Sequence, residues 1–386
     1  ISACLVGSEM CIRDRIYLIV LLHIKNERRG RAMAKKRIAV LFGGASADHA
    51  ASLHTAYSVL CSLPKEIEPL AIGITRAGRW LFYPGSYENI KDGSWEQDSD
   101  CCSCVISPDM TNKGVIKIIS DGESTIHRID AVFPVLHGKY GEDGRVQGLC
   151  KLAGLPVIGN DFAAAALCND RRIMDLVLSD SNIKVIENVT LHRSEMNDMT
   201  AAIKKITAKL SFPIYTAPTS CSTSVGACRA ENEKELEEAI KASFSHHPYI
   251  IAESAVKGRE LTCAVLGAKH HDERVAIGEL VRTDDSIDKL SEYIASTSEF
   301  KVPAKLDGLT QNKIKQTARA AYDALSCKCF ARVDMVLDND GEVYVRRVRG
   351  IPGLDRQSIF TRLVTESAYS YEEMLRMLIG AVVDLD

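Results

Sequence analysis

Short apolar runs separated by polar turns follow one another along the chain from residue 37 onward. Arg37–Phe42 predicts a buried strand, the glycines of Gly43–Ser46 predict a turn, and a helix is expected to begin at Ala47–His49. Further strands are predicted at Ile67–Ile74, Arg79–Tyr83 and Ala131–Leu136, and Leu155–Gly159 is expected to close the first domain. Strand, glycine turn and helix in this order are typical of a nucleotide-fold-like α/β unit.

Helices and strands continue to alternate after Asn160. Apolar residues at helical spacing predict helices with inward faces at Ile173, Leu176 and Val177, at Ile203, Ile206 and Leu210, and over Glu231–Ala242. Strands are predicted at Phe212–Ala217, Tyr249–Glu253, Glu260–Leu266, Val275–Val281, Ala331–Leu337 and Glu342–Val348. The pattern predicts three α/β or α+β domains around a cleft, at residues 34–160, 161–250 and 251–386.

Asp340-Gly341 separates the last two predicted strands and is typical of a two-residue hairpin loop. This loop sets the register of the two strands, which then pairs Asp334 with Arg347 and Arg332 with Arg349. Cross-strand neighbours lie about 5 Å apart, so a salt bridge between Asp334 and Arg347 is expected. Arg332 and Arg349 would repel each other unless an anion lies between them.

The composition is that of an ordinary globular protein. The 386 residues are 46% apolar and 26% charged, with 48 Lys and Arg against 51 Asp and Glu. A net charge of −3 provides no basic surface of the kind that binds nucleic acid, so no nucleic-acid partner is expected.

Thirteen cysteines occur mostly as single residues in apolar stretches, which favours a reducing cytoplasm over a disulfide framework. Cys101, Cys102 and Cys104 form a cluster without a second Cys or His pair at zinc-finger spacing. We expect a polar surface loop with free thiols there, and a metal site is the alternative.

Residues 1–33 do not match the sequence that follows them. Ile16–Ile24 is an apolar run of nine residues, far short of the roughly 20 that span a bilayer, so no membrane span is expected. Met33 precedes a clean strand and is the expected natural start. The preceding segment is interpreted as a leader or an artefactual extension, with a signal peptide as the alternative.

Five motifs occur in the order found in D-alanine–D-alanine ligases. They are FGGASADH at Phe42–His49, LHGKYGEDG at Leu136–Gly144 with Gln147-Gly148, KGRE at Lys257–Glu260, RVD at Arg332–Asp334 and IPG at Ile351–Gly353. The chain from Arg37 to Ile379 therefore resembles this family of ATP-grasp carboxylate–amine ligases. The resemblance implies an α/β fold of three domains: an N-terminal Rossmann-like domain, a central ATP-grasp domain and a C-terminal α+β ATP-grasp domain.

The resemblance also implies a reaction. In this family ATP phosphorylates the carboxylate of a first D-alanine, and the amine of a second D-alanine attacks the acyl phosphate during peptidoglycan synthesis, which maintains the cell wall and cell shape. Such a site holds ATP with Mg2+, stabilises an oxyanion and excludes water. A cytoplasmic homodimer is implied as well.

Several positions match the family's substrate-side residues. Asp48, where the family usually has Glu, would bind the first substrate's ammonium, and His137 is the substrate-proximal histidine. Tyr293 matches a lid tyrosine whose hydrogen-bond chain includes the position of Thr223, and Arg332 matches the oxyanion-stabilising arginine.

Other positions match the nucleotide, metal and second-substrate sites. Glu253 and Glu260 match the carboxylates for the adenine amino group and the ribose hydroxyls, and Arg171 takes the place of a lysine. Asp334 matches a Mg2+ ligand. Gly353 and Ser358 match positions around the second substrate's carboxylate.

The chain departs from the family where phosphate and metal are handled. Ala217 and Glu292 stand where the family has lysine, and Ser222 stands where it has glycine. Arg347 and Arg349 replace a Glu and an Asn that ligate Mg2+. Guanidinium has no acceptor for a cation and, about 4 Å from a divalent ion, is repelled by roughly 8 kcal/mol at an effective dielectric near 20.

Three hypotheses follow from these residues. The chain is a working ATP-dependent D-alanine–D-alanine ligase, or it is a pseudoenzyme of the same fold that binds an amino acid, a nucleotide or a protein partner. In the third, arginines replace Mg2+ as counter-charges to phosphate.

Overall fold

A computed structural model describes residues 35–118, 123–220, 226–267, 277–282, 298–367 and 369–385. Within these ranges the strands form three sheets, of seven, four and five strands, with helices packed against them. The mixed α/β class predicted from the sequence is confirmed. Residues 1–33 and the predicted site residues Thr223 and Tyr293 lie outside the described residues, as do Ser222 and Glu292.

The N-terminal sheet has the strand order β6-β5-β4-β3-β2-β1-β7, with β1 parallel to both of its neighbours. Its strands are β1 (Lys36–Gly43), β2 (Ile67–Ile74), β3 (Trp80–Tyr83), β4 (Cys102–Ile106), β5 (Gly114–Ile118), β6 (Ser124–Arg128) and β7 (Ala131–Pro134). Its helices are α1 (His49–Leu60), α2 (Tyr87–Asp92) and α3 (Arg145–Leu152).

The position of strand β1 in the sheet explains why the loop that follows it lies near the loop that follows β7. Ile38–Phe42 is completely buried because parallel strands are covered on both faces. Since β1 and β7 are parallel, their carboxyl ends meet at one edge of the sheet. The loops that follow them, which carry Asp48 and His137, therefore come together at this edge.

The second sheet has the order β10-β9-β11-β8, with antiparallel pairing. This part of the chain contains α4 (Phe162–Asn169), α5 (Arg171–Asp180), β8 (Asn188–His192), α6 (Met199–Thr207), β9 (Ile214–Pro218), β10 (Cys228–Ala230), α7 (Glu233–Phe244) and β11 (Tyr249–Ser254). Leu236 and Ile240 of α7 are completely buried, as their spacing predicts.

The third sheet has the order β14-β13-β12-β15-β16 and is antiparallel. It is built from β12 (Gly258–Leu266), β13 (Ile277–Arg282), β14 (Ser298–Lys301), β15 (Phe330–Asp338) and β16 (Val343–Arg349), with helices α8 (Gly308–Ala324), α9 (Ile359–Thr365) and α10 (Tyr371–Gly380). Helices α9 and α10 pack into the same hydrophobic core as β1 and α1, which joins the two ends of the chain.

A buried amide holds the N-terminal domain against the third sheet. Asn160 Nδ2 donates to the carbonyl oxygens of Gly350, at 2.5 Å, and Phe330, at 3.1 Å. Its Oδ1 accepts from the backbone N–H of Lys328 at 2.5 Å. The side chain thus pairs with three backbone groups beside the start of β15 and the end of β16.

The hairpin between β15 and β16 corrects the predicted turn. The loop has three residues, 339–341, and is closed by Asp338 and Glu342, with Gly341 at a φ of +79°. A β-bulge at Arg346 then shifts the register by one residue. The shift restores the predicted pairs, Asp334 with Arg347 and Arg332 with Arg349.

Two further expectations were wrong. Helix α5 turns Met174 and Leu178 inward, and it leaves Ile173 and Leu176 exposed. Cys102–Cys104 lies on β4 rather than in a loop, and Cys104 is buried. In both cases the packing of neighbouring elements decides which positions are covered.

Candidate functional site

The loops after β1 and β7 meet at the first candidate subsite. Asp48 lies immediately before α1, and the chain turns at Gly138 with a φ of +76°. A Cβ atom at position 138 would overlap Oδ2 of Asp48, so glycine allows this carboxylate to lie against the neighbouring loop. Ser46 Oγ ties the loops together by donating to the carbonyl oxygen of His137 at 2.8 Å.

His137 is held by groups on both sides of its ring. Thr55 Oγ1 lies 2.9 Å from His137 Nε2, within hydrogen-bond distance, and 3.0 Å from the carbonyl oxygen of Ala51. His137 Nδ1 faces Glu142 Oε1 at 3.6 Å, a contact that becomes an ion pair when the ring is protonated. Glu142 also accepts from the backbone N–H of Gly138 at 3.0 Å.

Glu142 connects this subsite to β16. Burial alone would raise the pKa of the Glu142 carboxyl, but the hydrogen bond and charge of His137, the Gly138 N–H and the charge of Arg349 hold it below its usual value. The carboxylate is thus ionised between a histidine of its own loop and an arginine of the third sheet.

Asp334 is the centre of a second cluster. Arg332 binds it with two bonds, Nε to Oδ1 and Nη2 to Oδ2, each 2.8 Å long. Arg349 Nε donates to Oδ2 at 3.3 Å, and Thr262 Oγ1 donates to Oδ1 at 2.8 Å. Asp334 is thus itself the anion that lies between Arg332 and Arg349, and its predicted interaction with Arg347 is an attraction between charges of paired residues.

The electrostatics of this cluster follow from the geometry. Burial raises the pKa of Asp334, but the charges of Arg332 and Arg349 outweigh it, so the pKa is held well below its usual range. Burial and the nearby charge of Arg349 lower the pKa of Arg347, and Glu142 and Asp334 oppose that effect. Arg347 thus lies among other cations with limited access to water.

These residues do not fit a Mg2+ site. Mg2+ takes oxygen ligands in octahedral geometry, and an ionised carboxylate offers about four acceptor positions. Four hydrogen bonds already fill the carboxylate of Asp334. The described part of the chain also contains no group of three or more His, Cys, Asp or Glu placed to hold a metal ion.

Glu253 lies buried at the inner end of the cleft between the second and third sheets. Arg171 Nη2 donates to its Oε2 at 2.8 Å, and Arg171 Nε lies 3.5 Å from Asp175 Oδ1. Burial would raise the pKa of Glu253, but the charges of Arg171, Arg346 and Arg347 hold it below its usual value. Arg171 thus binds the carboxylate that the resemblance assigns to adenine.

The pKa of Asp175 is shifted in the opposite direction to that of Glu253. Burial raises its pKa to about 6, because the attraction to Arg171 does not fully compensate the loss of water and the nearby charge of Glu253. Asn188 Nδ2 donates to its Oδ2 at 2.9 Å. No feature of the sequence other than its position one helical turn after Arg171 pointed to this residue.

The cleft itself has a volume of about 650 Å3 and is polar. On the wall of the cleft, Arg346 Nη1 donates to Glu260 Oε1 at 3.1 Å. Arg259 binds Glu279 through two 2.7 Å hydrogen bonds at its rim. Ala217 lies on β9 beside Ile251 of β11, so this position brings no amine to the cleft.

Gly353 and Ser358 are brought together, as the resemblance implies. A Cβ atom at 353 would overlap Ser358 Oγ, so glycine is needed there. Ser358 Oγ donates to Asp355 Oδ2, and the backbone N–H of Gln357 donates to Asp355 Oδ1 at 3.0 Å. The Asp355 carboxylate therefore accepts the hydrogen bond of the Ser358 hydroxyl, which by the resemblance would face a substrate carboxylate.

Sequence reasoning missed several residues that complete these clusters. Thr55 and Glu142 hold His137, Thr262 binds Asp334, and Arg346 reaches Glu260. Glu142 lies inside a motif and Arg346 directly precedes Arg347, but the sequence does not reveal the bulge that directs Arg346 into the cleft.

Comparison with known proteins gives a consistent result. The family described as "D-ala D-ala ligase N-terminus" matches residues 37–160, and "D-ala D-ala ligase C-terminus" matches residues 177–380. A D-alanine–D-alanine ligase B of Clostridium tetani is 34% identical over 357 residues, which cover 91% of this chain and 95% of that protein. A D-alanine–D-alanine ligase of Caldicellulosiruptor bescii is also 34% identical, with 91% and 96% covered.

Solved structures agree with the sequence comparisons. The VanG D-Ala:D-Ser ligase of Enterococcus faecalis superposes with a TM-score of 0.81 at 34% identity, over 90% of this chain and 99% of that one. The D-alanine–D-alanine ligase of Coxiella burnetii, at 24% identity, shares the fold with a TM-score of 0.75 over 91% of this chain and 96% of that one. The predicted three-domain ATP-grasp fold is thereby confirmed, and this chain belongs to the D-alanine–D-alanine ligase family.

Proposed function

We propose that this chain is a ligand-binding member of the family that does not complete Mg2+-dependent ligation at the rate of the working enzymes. One observation carries the proposal: the carboxylate at the family's metal position, Asp334, is bound by Arg332, Arg349 and Thr262. A divalent ion would have to displace these donors and lie beside two guanidinium groups.

The substitutions around the cleft support the same proposal. Family members use ATP and Mg2+, and their phosphate-binding lysine on β9 is Ala217 in this chain. Without that amine and without oxygen ligands at 347 and 349, the site lacks the lysine and the divalent ions with which family members stabilise charge on a transferring phosphoryl group. Asp355 would also repel a substrate carboxylate near Ser358.

Ligation of two D-alanines through an acyl phosphate is the second candidate. The arrangement that favours it is the placement of Asp48 against Gly138, beside the ring of His137 that Thr55 and Glu142 hold. D-Serine is an alternative second substrate, because the Enterococcus faecalis relative is named a D-Ala:D-Ser ligase. A homodimer and a cytoplasmic location belong to this candidate as they do to the family.

A phosphate-release assay with Mg–ATP and D-alanine separates the two candidates. We expect no release above the rate of a buffer blank, and we expect calorimetry to detect D-alanine or a nucleotide binding to the same preparation. The full chain is used, and a relative such as the Clostridium tetani ligase serves as the positive control. Release at a rate comparable to that control would overturn the proposal and establish ligation.

Within the described residues, no helix combines the length and the apolar character that crossing a membrane requires.

A further inference from the structure

The β-bulge in β16 changes which side chains reach the cleft. Asp334 pairs with Arg347 and Met335 pairs with Val345, so Arg346 is the extra residue of the bulge. Side chains of a regular strand alternate between the two faces, whereas a bulge redirects one of them. The charges of Arg346 and Arg347 accordingly both lower the pKa of the same buried carboxyl group, that of Glu253.

The bulge produces a row of cations along one wall. Arg346 lies at Glu260 in the cleft, and Arg349 lies at Asp334 two residues beyond Arg347. At about 3.3 Å per residue, the segment from Arg346 to Arg349 spans roughly 10 Å. This length suits a chain of two or three phosphate groups that starts at the nucleoside end of the cleft.

The donors and charges of this row point to an anion. Arg346 Nε is buried and has no hydrogen-bond partner among the described residues. The charges of Arg349 and Arg171 disfavour the charge on Arg347, and those of Glu142 and Asp334 only partly offset them. The nearby cations and the loss of water disfavour the charge on Arg347, and a bound anion would relieve both effects.

We infer that the cleft binds an oligophosphate, as the free chain or as a nucleoside triphosphate, without a divalent cation, and that Arg346 and Arg347 supply the counter-charge. A planar guanidinium matches two phosphate oxygens at once, so arginine can neutralise and orient the chain directly. The inference rests on the proposed function, because it concerns a ligand that is held in the cleft and not turned over.

Titration calorimetry of the full chain tests the inference, with inorganic tripolyphosphate and ATP as probes. Each probe is titrated once with EDTA and once with excess Mg2+. We expect both to bind in EDTA, and we expect Mg2+ to weaken binding because it competes for the phosphate oxygens. Arg346→Gln and Arg347→Gln should each weaken binding about ten- to hundredfold, the effect of losing a charged hydrogen bond.

Arg319→Gln is the matched control, since Arg319 lies on α8 in an ion pair with Asp323 away from the cleft. It should bind both probes as the unaltered chain does. Binding that requires Mg2+, no binding in either buffer, or unchanged affinity in Arg346→Gln would each overturn the inference. Arg346 lies at the bulge, where it donates to Glu260, so this variant serves if Arg347→Gln does not fold.

Failure of the inference and failure of the proposed function give different results. Phosphate release with Mg–ATP and D-alanine would overturn the proposed function whatever happens in EDTA. Absence of binding in EDTA, without turnover, would overturn only the arginine-mediated recognition of the oligophosphate.

Discussion

The Nε atom of Arg349 lies 3.3 Å from Oδ2 of Asp334, so a guanidinium of β16 contacts a carboxylate of β15 at the position that the resemblance assigns to a metal ligand. Arg332 completes the arrangement with two 2.8 Å bonds to the same carboxylate. The two arginines are cross-strand neighbours, and only the charge between them makes that pairing favourable. Asp334 therefore has a structural role that a metal ligand does not have.

Asp334→Asn should destabilise the protein by about 3–5 kcal/mol, because two neighbouring guanidinium groups lose their shared counter-charge. Adding Arg349→Gln should recover part of this loss, since one of the two stranded cations is then gone. Urea unfolding followed by tryptophan fluorescence measures both effects.

Asp323→Asn is the control for this cycle. It removes an exposed ion pair with Arg319 on α8 and should cost only about 0.3–0.5 kcal/mol. If Asp334→Asn costs no more than this control, the cluster does not stabilise the fold.

Restoring oxygen ligands should create a metal site. The variant Arg347→Glu with Arg349→Asn removes two cations and supplies a carboxylate and an amide near Asp334. We expect it to bind Mn2+ in the micromolar to millimolar range by calorimetry, and we expect the unaltered chain to bind none there.

Adding Ala217→Lys to this variant tests whether activity returns. If only the metal ligands and this amine are missing, phosphate release with Mg–ATP and D-alanine should appear. Metal binding without turnover would indicate that other differences, such as Asp355 beside Ser358, also block the reaction.

Gly138→Ala should impair amino-acid binding through Asp48. Gly138 has a φ of +76°, and a Cβ atom there would overlap Oδ2 of Asp48. We expect about 1–2 kcal/mol of destabilisation from the backbone strain and at least tenfold weaker D-alanine binding by calorimetry.

Gly78→Ala separates the effect of backbone strain from the effect of displacing Asp48. Gly78 has a φ of +83°, but no atom lies within 4 Å of the position its Cβ would take. It should lose similar stability and keep its affinity for D-alanine. Equal affinities in the two variants would show that Asp48 does not bind the ligand.

Asp175 should make stability depend on pH between about 4 and 6. Its pKa is raised to about 6 in the folded chain, so the folded state binds the proton more tightly than the unfolded state does. The favourable contribution is complete below the unfolded pKa near 4 and is lost as the pH rises through 6. Asp175→Asn should remove this dependence and be more stable at pH 7.5 by about 2–3 kcal/mol.

Thermal unfolding of both proteins from pH 4 to pH 8 measures this difference. Asp180→Asn, at the exposed end of the same helix, is the control and should follow the unaltered chain. Parallel curves for Asp175→Asn and the unaltered chain would contradict the prediction.

Much of the fold was predictable because local patterns and burial agree. The run at Arg37–Phe42 is apolar throughout, as a parallel strand covered on both faces must be, and the glycines after it terminate the strand. Helix α5 is an element for which helical spacing did not predict the buried face correctly. Leu176 follows the helical spacing but is exposed, because the neighbouring elements pack against Met174 and Leu178 instead.

The candidate site likewise has features that the sequence predicted and features that only the packing of the chain decided. The sequence alone determined the fold family and the residue types at the metal and phosphate positions, because motifs and the absence of an acceptor on arginine are properties of the chain itself. Only the tertiary structure decided which charges meet. A three-residue loop and a bulge at Arg346 together give the predicted register, but the side-chain conformations decide that Arg332 and Arg349 donate hydrogen bonds to Asp334. Side-chain partners depend on ångström-scale positions across strands, and one inserted residue changes those positions without leaving a mark in the sequence pattern.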